Sequence, residues 1–290
     1  MGDTVDVRTD SGFQETWRRF KKDKFAMVGL FILIALFLIA IMAPLIIDYD
    51  QQVIYQDTSR RLQDPSREHI MGTDVYGRDI FVRVIYGSRV SLTIGFIAVG
   101  ISLLIGGAIG VIAAYFGGVL DSILMRIMDI FLAVPPILLA IAIVAALGPG
   151  ITNLLIAMTI SFIPPYARLL RSLVLPIKDL EYVEAARATG VSTFRILVSH
   201  IIPNTMGPVL VQSTLAVGRI IITAAGMSFL GLGVIPPDPE WGAMLSEGKE
   251  YMRNSPYMVI FPGLAIMITV LSLNLAGDGL NDALDPRLRN

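Results

Sequence analysis

Residues 130–167 read IFLAVPPILLAIAIVAALGPGITNLLIAMTISFIPPYA, thirty-eight positions without a charge. A helix crosses roughly 30 Å of hydrocarbon in about 20 residues, so the run is too long for one crossing and suits two. Gly148-Pro149-Gly150 in its middle removes helix propensity and a backbone donor, which predicts a tight turn between two membrane helices. Working outward, uncharged stretches recur at 25–47, 90–120, 196–218 (continuing past Arg219 to 237) and 254–277. The expected crossings are 25–47, 90–115, 123–147, 152–172, 207–234 and 256–276. The fold class is therefore an all-α integral membrane protein with six crossings, and an even number puts both termini on one side.

Composition agrees. Of 290 residues 54% are hydrophobic and 16% charged, and the mean hydropathy is +0.68. A chain this apolar has lipid as part of its solvent. Twenty-three basic residues balance twenty-four acidic ones, so no net positive field favours nucleic acid. The absence of cysteine excludes disulfides, thiolate nucleophiles and cysteine metal sites. The run 25–47 is longer than a signal-peptide core and no small-residue cleavage site follows it, so it reads as a retained membrane anchor.

Lysine and arginine set the orientation. With the N-terminus inside, fourteen basic residues face the cytoplasm: six before residue 25, Arg126, five in the loop 173–206 and its approach, and Arg287 and Arg289 in the tail. Eight face outward, six of them in the loop 48–89, where seven acidic residues nearly neutralise them. The expected organisation is a cytoplasmic segment 1–24, a first crossing 25–47, an extracytoplasmic loop 48–89, a five-helix core 90–277 containing the cytoplasmic loop 173–206, and a cytoplasmic tail 278–290. Phe13, Trp17 and Phe20 recur at helical spacing beside basic residues, which suits a short helix lying on the inner leaflet. Gly106 and Gly110, four apart, predict a close helix contact within the protein.

The loop 173–206 carries the densest local signals. In DLEYVEAARATG, residues 179–190, Asp179 suits an N-cap, Glu181 and Glu184 lie toward the positive helix end, Arg187 toward the negative end, and Gly190 can take a left-handed stop. Ser192 is placed to cap a second helix whose apolar face is Phe194, Leu197, Val198 and Ile201, and Pro203 marks where that helix ends or kinks. Ala185 and Ala186 leave a low-relief surface, and Glu184 offers a carboxylate for capping or pairing. On these grounds alone a docking site and a structural loop are equally served.

Glu184-Ala185-Ala186, then Gly190 after three residues, then His200-Ile-Ile-Pro203-Asn204 after nine more, resembles the EAA loop of ATP-binding-cassette importer permeases. His69-Ile-Met-Gly72-Thr73-Asp74 running to Gly77-Arg78-Asp79, Ser228-Phe-Leu-Gly231-Leu-Gly233 with Pro236-Pro237 and Trp241-Gly242, and Gly277-Asp278-Gly279 with Asp282-Ala-Leu-Asp285-Pro286-Arg287 are similar to the dipeptide, oligopeptide and nickel branch, permease C type. The resemblance implies that Glu184, Ala185, Ala186, Gly190 and Pro203 belong to coupling helices that enter a groove on an ATPase. It also implies a homologous second permease, two cytoplasmic ATPases holding ATP and magnesium, an extracytoplasmic substrate-binding protein, and location in a bacterial inner membrane. No cofactor belongs to this chain on that reading, and the cargo is di- or oligopeptide, with nickel, glutathione or another small solute as the alternative. Ile202 stands where relatives often have leucine, and Thr223 where many have an acidic residue.

Other chemistry finds little support. Gly72 and Gly77 mimic the start of a phosphate loop, but Arg78-Asp79 replaces its lysine and hydroxyl. His69 and His200 fall on opposite sides of the expected membrane, which argues against a metal pair. Arg126 and Asp129 lie three apart and are placed to pair on one helix face. Arg219, inside the fifth crossing with Thr223 one turn on, either lines the translocation path or is satisfied by a neighbouring acid or by snorkelling. An ion-driven secondary transporter would want buried mid-membrane carboxylates and repeat symmetry, and an embedded enzyme would want paired catalytic groups; neither pattern is evident.

Overall fold

The computed structural model describes residues 12–284, and among them the ordered secondary structure is helical apart from one isolated bridge, Thr73 with Asp79. Helix α1 spans Gly12–Phe20. Helix α2, Lys24–Ile46, starts where the Asp23 carboxylate accepts from the amides of Phe25 and Ala26, the usual way to satisfy orphan donors at a helix start. Helix α3, Ile80–Phe116, is capped by Asp79 and stops at Gly117. Then follow α4 (Gly118–Leu132), α5 (Pro136–Leu147), α6 (Ile151–Ile177), α7 (Glu181–Ala188), α8 (Thr193–Ile196), α9 (Ile202–Phe229), α10 (Trp241–Gly248) and α11 (Tyr257–Leu284).

Five helices, those of α2, α3, α6, α8 running into α9, and α11, are long and apolar enough to cross a membrane, and six spans result when α4 and α5 count as one. That pair departs from the expected straight crossing at 123–147, because its two halves meet at 81°. Pro135 and Pro136 cause the break: Pro136 has no amide to donate back, and a residue before proline is pushed out of the α region. The Gly148–Gly150 turn forms as expected, with both glycines at positive φ. Helix α3 begins at Ile80, ten residues before the expected start, and α11 runs to Leu284 rather than ending near 276. Residues 285–290, which hold the last part of the terminal motif, lie outside the described residues, as does the side chain of Phe13.

Helix α3 packs most extensively on α6. A methyl group added at Gly106 would sit 2.4 Å from the Ile163 carbonyl oxygen, and one at Gly110 would sit 2.2 Å from that of Ala167, so only glycine permits the approach. Small residues at four-residue spacing thus do what they do in membrane helix pairs generally. The shared core includes Ala98, Leu154, Met158, Ile220 and Met227, all buried, whereas Phe25, Phe31 and Leu45 of α2 point outward. Apolar side chains on the outside are expected where lipid, rather than water, is the neighbour.

The loop between α2 and α3 folds over one end of the bundle, opposite α7. Asp74 holds Arg78 at 2.6 Å, Arg78 reaches Glu247 of α10 at 2.7 Å, and Arg83 lies 3.4 Å from the same Glu247 oxygen while donating to the Val53 and Pro237 carbonyls. The side chains of both arginines are 1% exposed. The carboxylate of Asp79, the cap of α3, accepts from His69 Nδ1 at 2.8 Å, so His69 is a loop-fixing residue. Glu240, also buried, caps α10 by accepting from Gly242 and Ala243. The phosphate-loop-like glycines 72 and 77 are turn residues here, both at positive φ.

Candidate functional site

The segment joining α6 to α9 is rooted at both ends. Lys178, after α6, donates to the Ala114 carbonyl near the end of α3 at 2.9 Å, and the Arg187 guanidinium lies 5.5 Å from the centre of the Tyr115 ring. Helix α7 takes Leu180, not Asp179, as its N-cap, and no side chain caps it. Backbone bonds from Val183 and Glu184 to the Leu180 carbonyl make that first turn, leaving Asp179 in the preceding turn.

Its C-terminal end is the stop expected at Gly190. The Gly190 amide bonds to the Arg187 carbonyl and the Val191 amide to that of Ala186, with Gly190 at φ +78°. These two bonds form a Schellman motif, in which the residue after the cap must be left-handed. The Thr189 hydroxyl donates to the carbonyls of Ala185 and Ala186, satisfying more of the orphan acceptors. No atom lies within 4 Å of where a Gly190 side chain would begin, so conformation alone selects glycine.

The predicted apolar face of the second helix is divided. Ser192 does occupy the N-cap of α8, without a side-chain bond. After Ile196 the chain makes a wider π turn, Leu197–Ile201, in which the Ile202 amide reaches back to the Leu197 carbonyl. Such a turn inserts residues into the helical phase. Ile196 and Ile201 therefore point into the bundle with Val183, all three buried, while Phe194 and Val198 face out, 76% and 45% exposed. Pro203 follows the π turn directly, so the wider turn falls where a proline has no amide to donate. Asn204 bonds to the Tyr182 hydroxyl and to the His200 carbonyl, tying α7 to α9.

Glu184, Ala185 and Gly190 are exposed and Ala186 is half-buried against the core. The four lie on one projection with Phe194 and Val198 of the next turn. Arg219 and Thr223 are elsewhere, on the membrane-spanning part of α9: Arg219 is exposed on the single chain, and the Thr223 hydroxyl donates to the Arg219 carbonyl at 2.8 Å. The expected Arg126–Asp129 pair does not form. Asp129 is bonded to Arg168 at 2.6 Å, and Asp121 receives two bonds from Arg171 at 2.6 and 2.7 Å, so α4 is pinned to α6 across space. Sequence reasoning missed these pairs and the Asp74–Arg78–Glu247–Arg83 cluster, whose members stand up to 173 positions apart; only the Asp-x-x-x-Arg spacing of 74 and 78 offered a signal.

Comparison with known proteins fits this arrangement. Residues 106–290 match the family described as binding-protein-dependent transport system inner membrane component, and residues 11–65 match the N-terminal TM domain of oligopeptide transport permease C. The dipeptide transport system permease protein of Alkalihalophilus pseudofirmus is 48% identical over 97% of this chain and 91% of its own. The glutathione transport system permease protein of Pectobacterium atrosepticum is 46% identical over 98% of this chain and 93% of its own. A chain of the methionine ABC transporter, in an inward-facing conformation, superposes with a TM-score of 0.57 at 19% identity, covering 70% of this chain and 96% of that one. From the family match, the near full-length relatives and the shared fold, the chain belongs to the binding-protein-dependent transport system inner membrane components, the permease subunits of ABC importers.

Proposed function

We propose that the α7–α8 projection is where this importer permease takes up the motion of an ATPase subunit. Glu184, Ala185, Ala186 and Gly190 make the contact, and Pro203 fixes where the projection joins α9. The observation that carries the reading is the division of the segment: Val183, Ile196 and Ile201 are buried in the bundle, while Phe194 and Val198 are held outward at 76% and 45% exposure. Apolar side chains fixed in an exposed position on a projection that leaves the bundle suit a cleft on another protein. The projection, α1 and both termini lie on the cytoplasmic side, and the loop 48–79 outside.

On this reading the working assembly comprises this chain, a homologous second permease, two cytoplasmic ATPase subunits that hold ATP and magnesium, and an extracytoplasmic substrate-binding protein, in a bacterial inner membrane. ATP binding closes the ATPases, the projection moves with them, and the crossings pass from inward-open to outward-open because the two states are differently stabilised. This chain makes no covalent step. Arg219 and Thr223 line the path: both sit on an α9 face that the single chain leaves open, and an arginine at that depth is expected where water or a charged partner reaches it. The cargo is short peptides. A relative named for dipeptides and one named for glutathione, itself a tripeptide, both support that chemistry; nickel or another small solute is the alternative cargo of the same machinery.

The test is co-purification in detergent with ATPase subunits of the same organism, comparing the native chain with Glu184→Lys plus Gly190→Pro. The reading expects the native chain to bring down an ATPase and the altered one to lose it while still binding its partner permease. Equal capture by both would overturn it. Uptake of labelled dipeptide, glutathione and nickel by the reconstituted assembly then separates the cargoes.

A further inference from the structure

A cleft of about 620 Å³ opens between α1, α2, α3, α9 and α11, within the roughly 300–1,000 Å³ of small-molecule sites. Trp17 and Phe20 of α1 roof one end, Leu210 of α9 and Leu280 of α11 form walls, and Phe37 and Phe96 meet edge to face at 4.8 Å in its depth. Among the described lining residues, the polar groups are the hydroxyls of Thr16, Ser213 and Thr214 and the indole N–H of Trp17. Water needs two to four polar partners to settle in such a space, and a dry void leaves its walls without contacts. The occupant that suits is hydrocarbon. Along α2 the lining runs from Leu30 to Phe37, seven positions or about 10 Å of helix, within one leaflet's hydrocarbon depth of about 15 Å. That depth takes the headgroup-proximal part of one acyl chain.

The mouth carries charge. Arg18, Lys21, Lys22 and Lys24 are exposed where α1 turns into α2, and Lys21 lies 5.1 Å from the Trp17 ring centre. Among the described residues the nearby acids are occupied or turned away: Glu15 pairs with Arg19, and Asp23 caps α2. Asp278 and Asp282 follow Ala276 and Leu280 of the cleft wall by two residues each, about 200° around α11. We propose that the cleft holds one acyl chain of an anionic phospholipid, whose phosphate sits on Lys21 and Lys22 at its mouth beneath the α1 latch. The lipid is then a fixed part of the subunit.

The chain's two tryptophans are Trp17 and Trp241, and Trp241 is buried at the opposite end beside Val84, so Trp17 reports on the cleft. The assembled transporter is stripped of lipid in detergent and titrated with phosphatidylglycerol brominated on its acyl chains, or with phosphatidylcholine carrying the same chains. The Trp17 signal is taken as the difference from Trp17→Phe. The expected result is saturable quenching, with phosphatidylglycerol half-saturating at a concentration tenfold or more below phosphatidylcholine, since each basic residue contributes about 1 kcal/mol toward an anionic headgroup. Lys21→Gln with Lys22→Gln should bring the two lipids within about threefold while quenching persists, and Thr214→Phe, which fills the cleft, should abolish saturation for both with the assembly intact. Equal half-saturation in the native protein, quenching that rises linearly without saturating, or a Trp17 that no lipid quenches because the partner permease covers the cleft would each overturn the proposal.

Discussion

Replacing Gly190 by alanine isolates one cost. Gly190 sits at φ +78° with nothing within 4 Å of a new methyl group, so the substitution meets no steric obstacle and the whole penalty is conformational. A non-glycine residue in the left-handed region costs about 1–2 kcal/mol. The bonds at risk are local, from Gly190 to Arg187 and from Val191 to Ala186. Opening of this turn should therefore become about 5–30 times more frequent, at 1.4 kcal/mol per factor of ten, and amide exchange at residues 189–191 should accelerate by that factor while α3 and α6 stay unchanged. Gly190→Asn, which tolerates the left-handed region better, should show a smaller effect. Hydrogen–deuterium exchange by mass spectrometry on the reconstituted assembly reads both, and cargo-stimulated ATPase activity should fall in the same order. Unchanged exchange in Gly190→Ala, or an equal effect for alanine and asparagine, would refute the claim that backbone conformation selects glycine here.

Glu247→Ala removes the carboxylate shared by Arg78 and Arg83, both of whose side chains are 1% exposed. Breaking such a buried pair costs about 3–5 kcal/mol, a fall of roughly 6–10 °C in Tm for a chain this long, to be read by fluorescence-monitored melting in detergent. Gly110→Ala should lower the melting temperature because its methyl group meets the Ala167 carbonyl at 2.2 Å, whereas Gly100→Ala, with nothing within 4 Å, should leave it unchanged or raise it slightly. Phe194→Asp should weaken ATPase capture at least tenfold in pull-down titrations without altering the melt, since Phe194 is 76% exposed and a desolvated hot-spot aromatic is worth about 2 kcal/mol or more. Arg219→Gln should abolish uptake with the assembly intact; full uptake would remove Arg219 from the path.

The spans and a close helix contact at Gly106 and Gly110, though not its partner α6, were legible because each rests on a short-range pattern: uncharged runs of membrane length, and two glycines four apart. The Gly190 stop was legible for the same reason. The proline pairs were not. Pro135-Pro136 splits a span at 81°, whereas Pro164-Pro165 lies inside a continuous α6; the difference is packing, since α6 is held along α3 while α4 and α5 bury few side chains. Neighbouring helices supply what a proline removes in the second case and not in the first. The Leu180 cap and the π turn escaped because each shifts phase by one residue, which periodicity alone does not resolve. Asp129 finds Arg168 rather than Arg126, and Glu247 finds Arg78, through tertiary proximity that sequence spacing does not encode.

One feature of α9 has a mechanical meaning. From Thr193 to Phe229 the chain is a single helical rod of 37 residues, about 55 Å from end to end. A rod transmits what it does not absorb: on the proposed coupling, thrust applied at Phe194 would arrive at Phe229 as tilt or slide, with the lever arm of the whole membrane thickness. Its departures from regular α geometry, the π turn at Leu197–Ile201 and Pro208, both lie near that driven end, so on the proposed coupling the stroke is set there and the remainder of the beam delivers it.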